Sequence, residues 1–196
     1  MFKKSYLFLL FASTLVFMGG CAQKPEANIR LEPFTPNPAV IQKSGTVVIK
    51  KIVDKRENKR VVGKIEKDGK PVTIIYSDQD MQEWFEDALK RSLEVEGCRV
   101  VTEINEDNRV ANIKVEIDSI KAVFDKSTLT GENLSAEARA TLYIKQGKSK
   151  ITKKVSFSQS RWAPPFSGES EIKEFLQETL AGLVEELREN IDCYRF

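Results

Sequence analysis

Histidine is absent from the 196 residues of this chain. Its absence removes the usual general base, the commonest metal ligand and the side chain that titrates near neutrality. Ser-His-Asp and Cys-His constellations therefore cannot be assembled. Serines, lysines and acids are plentiful, but no spacing singles out a Ser-Lys or paired-carboxylate site. The expectation is a protein that is not an enzyme, uses no cofactor and holds no metal. An excess of one charge is missing as well. The formal charge is +2, and a balanced domain is a poor match for nucleic acid, where affinity is built on phosphate neutralisation. Long apolar runs are also lacking. Tyr6 to Met18, broken only by Ser13 and Thr14, falls short of the roughly 20 residues that a spanning helix needs.

That short run suits the roughly 7–15-residue core of a secretory signal. Lys3 and Lys4 make a positive region before it, and Gly19, Gly20 and Cys21 come after it. Two small residues directly before a cysteine resemble the lipobox of bacterial lipoprotein signals, with Met18 standing where leucine is usual. The resemblance implies cleavage before Cys21, diacylation of its thiol and often a further acyl chain on the new amino group. The bland alternatives are an ordinary signal with a chance cysteine, or an uncleaved anchor. Ala22 follows the cysteine in place of the aspartate that commonly retains such proteins in the inner membrane. For a Gram-negative source this points to the outer membrane, with the domain facing the periplasm. Two or three acyl chains anchor stably where one is marginal.

Removal of residues 1–20 takes Lys3 and Lys4 with it, so the formal charge falls from +2 to zero. Of the 3 cysteines, Cys98 and Cys193 then remain. An even remainder in an oxidising compartment reads as a disulfide that pins the C-terminal tail to the sheet; the alternative is two buried thiols. Closing so long a loop would stabilise by about 4 kcal/mol in the chain-entropy model.

Residues 21–44 read as a tether, since Pro25, Pro33, Pro36 and Pro38 oppose helix. Within it, Asn28 to Phe34 alternates apolar with polar and fits an edge strand, the one position Pro33 allows. Residues 45–196 read as a single domain. GTVVIKKIVDKR begins it with a β-branched strand, and Asp68-Gly69 marks a hairpin. Met81, Trp84, Phe85, Ala88, Leu89 and Leu93 recur at helical spacing, with Ser77 or Asp78 able to cap the start and Gly97 placed to end the helix. Apolar parity flips near Asp118-Ser119, which predicts a β-bulge in a long strand. Leu134, Ala136, Ala138, Ala140, Leu142 and Ile144 then line one face of the next strand, the alanines leaving room for a helix to lie close. A turn at Gln146-Gly147-Lys148, a further strand and an apolar stripe from Ile172 to Ile191 complete the chain. Two one-sided helices on one-sided strands predict an α+β, two-layer sandwich: two helices packed on one face of a mostly antiparallel sheet.

The lipobox, the proline-bearing tether, GTVVIKKIVDKR with its Asp54-x-Arg56, Gly63 and the helix ending at Gly97 together resemble the YajG-like family of outer-membrane lipoproteins. The resemblance spans nearly the whole mature chain. It implies a periplasm-facing α+β lipoprotein and carries over no catalytic residue.

Two candidate surfaces stand out. Arg161-Trp162-Ala163-Pro164-Pro165-Phe166 is stiffened by its prolines, and its two aromatics either fold over the core end or offer a rigid contact to a partner. Glu137, Arg139 and Tyr143 face away from the alanine side, free for a partner or for closing an assembly, one of its own copies included. The mixed-charge turn Asp54, Arg56, Glu57, Lys59, Arg60 reads as a solvated loop of weak ion pairs. The expected role is a non-catalytic binding or scaffolding module in a cell-envelope assembly, with an unknown envelope protein as partner and the membrane reached through lipid on Cys21. The alternative is an accessory lipoprotein of an envelope lipid or ABC-type transport system, which rests on fold analogy.

Overall fold

A single long strand organises the sheet. The computed structural model describes residues 26–38, 45–101, 110–128, 131–163, 169–191 and 193. Their elements are β1 (Glu26–Asn28), β2 (Gly45–Asp54), β3 (Val61–Lys67), β4 (Lys70–Tyr76), α1 (Met81–Val95), β5 (Cys98–Val101), β6 (Ala111–Thr128), β7 (Gly131–Gln146), β8 (Ser149–Ala163) and α2 (Glu169–Glu189). One edge of β6 carries β7 along its length. The other edge is shared: β2 lies beside its first half, from Ala111 to Ile117, and β3 beside Val123 to Asp125. The sheet therefore forks. One branch continues from β2 to β5, the other from β3 through β4 to β1.

This corrects the expected architecture. The α+β class holds, but the sheet is mixed, and a mostly antiparallel two-layer sandwich does not describe it. Among the described residues β1·β4, β2·β5, β2·β6 and β3·β6 are parallel, while β3·β4, β6·β7 and β7·β8 are antiparallel. Alternation reveals which side of a strand is apolar and says nothing about which way its neighbour runs. Parallel neighbours need a crossover, and the connection between the parallel partners β2 and β5 contains α1.

Local signals are met more closely. Asp68 (φ 53°) and Gly69 (φ 71°) form the β3–β4 turn in the left-handed region that such hairpins require. The parity flip is a register shift between Ile117 and Ser119, opposite Ala140 and Arg139. In α1 the apolar stripe is buried, but the cap is Asp80, two residues beyond Asp78. Its carboxylate accepts the backbone N–H groups of Gln82 at 2.8 Å and Glu83 at 3.3 Å, an interaction worth about 1 kcal/mol. Gly97 ends the helix region at φ 91°.

α1 rests on β2 and β5, α2 rests on β7 and β8, and the helices touch each other. Ala136, Ala138 and Ala140 are buried beneath α2 as their size allows. At Gly182 the approach is closest: a Cβ there would come within 2.5 Å of the Phe157 ring. Arg188 of α2 reaches the far end of α1, pairing with Glu96 at 3.2 Å and with Glu185 of its own helix at 2.6 Å.

The segment expected as tether is in part packed onto this body. Ile29, Leu31 and Phe34 are buried against the core, and Phe34 meets the Trp84 ring edge-on. β1 itself is only Glu26–Asn28, parallel to β4. Beyond it, side chains serve the backbone in place of a strand partner. Gln79 donates to the Leu31 carbonyl (3.1 Å) and accepts its N–H (2.6 Å), and Trp84 Nε1 donates to the Glu32 carbonyl (3.0 Å). Gln177 does the same for Glu32, accepting at 2.8 Å and donating at 3.2 Å. Cys98 and Cys193 form the expected disulfide, with Cα atoms 6.2 Å apart and a sequence separation of 95. Both are buried.

Candidate functional site

The mixed-charge turn sits where the sheet forks; Glu57, Lys59 and Arg60 are exposed as expected, but Asp54 and Arg56 are not. Asp54 is 5% exposed and Arg56 8%. Their side chains meet in a forked pair, Arg56 Nη2 to Asp54 Oδ2 at 2.7 Å and Nε to Oδ1 at 2.9 Å. The remaining guanidinium donors go to the carbonyls of Val61 (2.9 Å) and Lys59 (2.5 Å). The Asp54 carboxylate also accepts the Arg56 N–H at 3.0 Å, while Gln82 accepts the Asp54 N–H at 2.9 Å. One ion pair thus replaces the ladder bonds that are lost between the end of β2 and the start of β3. The expectation of a weak surface pair fails because sequence spacing does not show burial. Gly63 belongs to the same construction: a Cβ there would lie 2.8 Å from the Ala122 carbonyl oxygen, so only glycine lets β3 close onto β6. Asp54, Arg56 and Gly63 are architectural residues.

The face of β6, β7 and β8 turned away from α2 is polar. At its centre the Tyr143 hydroxyl donates to Glu116 Oε2 at 3.1 Å, and Lys114 Nζ pairs with Glu116 Oε1 at 2.7 Å. The same ammonium lies 5.1 Å from the centre of the Tyr143 ring. The lysine's hydrogen bond holds the Glu116 carboxyl below its usual range, helped by the tyrosine hydroxyl. In return the hydrogen bond to Glu116, with burial and the carboxylate charge, raises the Tyr143 phenol. Thr141 donates to Asp118 (2.7 Å), and Arg139 pairs with Glu137 (2.6 Å). The centre of the face is a cluster of paired polar groups around one half-buried tyrosine.

Trp162 does not cover the core end. It is 58% exposed and lies flat on Gly131 of β7, where a Cβ would meet its ring at 2.4 Å. Pro164, Pro165 and Phe166, the rest of that candidate loop, fall outside the described residues, as does Cys21. What the balanced net charge concealed is a local imbalance. From Ala138 to Gly168 there is no acidic residue, while Arg139, Lys145, Lys148, Lys150, Lys153, Lys154 and Arg161 are basic. A charge count by window, in place of a whole-chain sum, exposes it.

A broad groove of about 1620 Å³ runs between the strap at Asn28–Pro33 and α1. Its lining is charged with both signs, including Asp78, Asp80, Glu83, Lys90 and Lys173. Asp78 accepts hydrogen bonds from Asn28 and Arg60, which hold its carboxyl below the usual value. Among the described residues no helix is long and apolar enough to cross a membrane.

The class, a membrane-anchored envelope lipoprotein, is set by a family match to the folded body. A family profile described as "uncharacterized lipoprotein", that of the YajG proteins, matches residues 34–190, and the chain belongs to that family. The match begins after Cys21, so it does not depend on the resemblance to a lipobox. No curated protein matches. Among solved structures, protein XCC0632 from Xanthomonas campestris, of the DUF330 family, is similar with a TM-score of 0.50 at 17% identity, over 83% of this chain and 91% of that one. An uncharacterized protein (TM-score 0.49, 11% identity, 86% and 99% coverage) and the hypothetical protein CT253 from Chlamydia trachomatis (0.46, 12%, 76% and 95%) are also similar. At these identities the likeness to XCC0632 concerns the fold alone.

Proposed function

We propose that this chain is an outer-membrane-anchored, periplasm-facing lipoprotein, acylated at Cys21, that works as a non-catalytic binding or scaffolding module in an envelope assembly. The observation that carries the proposal is the face of β6–β8 that no element among the described residues covers. Both helices lie on the other side, while the open side presents a prearranged polar group around Tyr143 with little rotamer freedom left to lose on contact. Lack of histidine supports a non-catalytic role, and Ala22 after the cysteine supports the outer membrane. The transport-accessory alternative asks for an apolar groove, and the groove beside α1 is lined by charges of both signs.

The test is photo-crosslinking in intact cells from Tyr143 and from Arg139, with Lys90 on the helical side as control. The expected result is one identified envelope protein captured at both sheet positions and absent at Lys90. A transporter subunit at the sheet positions moves the chain to the transport reading. Absence of any protein adduct there ends the scaffold reading.

A further inference from the structure

The acid-free stretch is concentrated on β8 and on the turn that leads into it. β8 (Ser149–Ala163) pairs only with β7 among the described residues, so it is an edge strand. Lys145, Lys148, Lys150 and Lys154 are exposed and have no ion pair among the described residues. Ile151, 38% exposed, lies between Lys150 and Lys154 in sequence, on the α2 side of the strand. At the other end of the strand is Trp162, more exposed than any other large apolar side chain described. Between these ends the side chains turned away from α2 are Ser156, Ser158 and Ser160, small and uncharged.

The cross-sheet register relates this edge to the anchor. Glu26, Ile74, Lys64, Val123, Ser135 and Ser160 lie in one row, so the chain enters level with the Trp162 end of β8, but on β1, the opposite edge of the sheet and about 24 Å across it at roughly 4.8 Å per strand. Asn112, Lys145 and Lys150 form the row at the opposite end, about 33 Å away at roughly 3.3 Å per residue. Cys21 is five residues before Glu26, a reach of about 17 Å at full extension. A bilayer holding lipid on Cys21 is therefore close to the domain at all times, and a second contact with it is effectively intramolecular.

We propose that the β8 edge and the β7–β8 turn rest on the anionic phospholipid bilayer that carries the Cys21 lipid. This rests on the anchor proposed above. The chemistry is that of a membrane surface. Unpaired lysines on long stems attract anionic headgroups without bidentate geometry, and an exposed tryptophan and isoleucine enter the interface. A protein partner recognised through carboxylates would be better met by arginine forks, and Arg161 is already engaged with Glu178 and the Phe175 ring.

The experiment uses the chain from residue 21 onward with Cys21→Ser, which retains every described residue and removes the lipid. Vesicles of equal parts phosphatidylglycerol and phosphatidylcholine are compared with phosphatidylcholine alone, by co-sedimentation and tryptophan emission. Trp84 is buried, so a shift reports Trp162. The expected result is binding to the anionic vesicles only, reversed by salt, with a blue shift that Trp162→Tyr removes. Lys148→Glu with Lys150→Glu and Lys154→Glu is expected to weaken binding by about tenfold or more, given roughly fivefold per basic residue at a surface. If that triple variant does not fold, the same positions changed to Gln serve, and the salt dependence of the unchanged protein is independent of both. Equal binding to neutral vesicles, binding to isolated cell-wall sacculi in place of vesicles, or a dimer that occupies the β8 edge overturns the proposal. Acylation of Cys21 is read separately from the mass of the membrane-extracted protein. Failed vesicle binding thus sinks this inference alone, and an unmodified Cys21 sinks the anchor beneath it.

Discussion

The meander β6–β7–β8 and the forked branch on the other edge of β6 are kept in register by different means. In the meander a tight turn joins β7 to β8, the two strands pair residue by residue, and a slip would carry Ala136, Ala138 and Ala140 out of the core. Register there is distributed over many equivalent contacts. In the branch, β2 and β3 meet β6 after a gap in the ladder, and a few particular groups do the joining: the Asp54–Arg56 pair, Gly63 and the disulfide from β5 to the tail. A sheet edge shared by two strands has to be fixed at the point where one strand gives way to the other.

The branch is most vulnerable at Arg56. Arg56→Ala leaves the Asp54 carboxylate buried without its cation, and takes donors from the Lys59 and Val61 carbonyls. Urea unfolding is expected to register a loss of about 3–5 kcal/mol. A loss below about 1 kcal/mol would mean that the fork is held by packing, not by charge.

That pair also marks the limit of what the sequence displayed. Alternation in β7, the Asp68-Gly69 turn, the bulge at Ile117/Ser119 and the stripe of α1 were all legible, because each is a pattern among near neighbours. Strand direction at the fork was not, since β2 and β6 are joined only through distant chain. Burial of Arg56 was not either, because a charged turn reads alike whether or not a sheet closes over it. Of the candidate surface, Tyr143 and its outward neighbours were placed correctly by parity. The exposure of Trp162 depended on Gly131, more than thirty residues earlier in sequence.

Loss of the disulfide has the next largest effect. Reduction, or Cys98→Ser with Cys193→Ser, is expected to lower stability by about 2–4 kcal/mol. Hydrogen exchange should show β5 and the end of α2 opening before the meander does. Uniform loss of protection across β6–β8 would instead make the bond part of the whole fold's cooperativity. In the meander itself a single change acts through volume. Ala138→Leu is expected to cost about 1–3 kcal/mol as α2 is pushed from β7, read by thermal unfolding. Ala138→Gly with a larger effect than Ala138→Leu would show that the helix has room to spare.

The smallest effect concerns the open face. The Glu116 carboxyl is held below its ordinary value, so its contribution to stability is present above that value and fades as pH falls through the lowered one. Tyr143 is shifted the other way: its phenol stays protonated past the ordinary pKa, and the hydrogen bond to Glu116 is lost only above it. Glu116→Gln removes the carboxylate from both relations. A spectrophotometric titration of tyrosinate is expected to show Tyr143 moving back down towards its ordinary value. An unchanged profile would place the cause of the shift in burial.

The bond between Cys98 and Cys193 also ties folding to place and time. Closed, it turns β5, the meander and α2 into one covalent ring, with only the earlier strands and α1 outside it. The ring cannot close in a reducing cytosol. Under the periplasm-facing anchor proposed above, newly made chain therefore lacks its final lock while it is still on the wrong side of the membrane. Once the chain meets an oxidising compartment the lock shuts behind it, so the same amino acids make a looser protein before export and a tighter one after it.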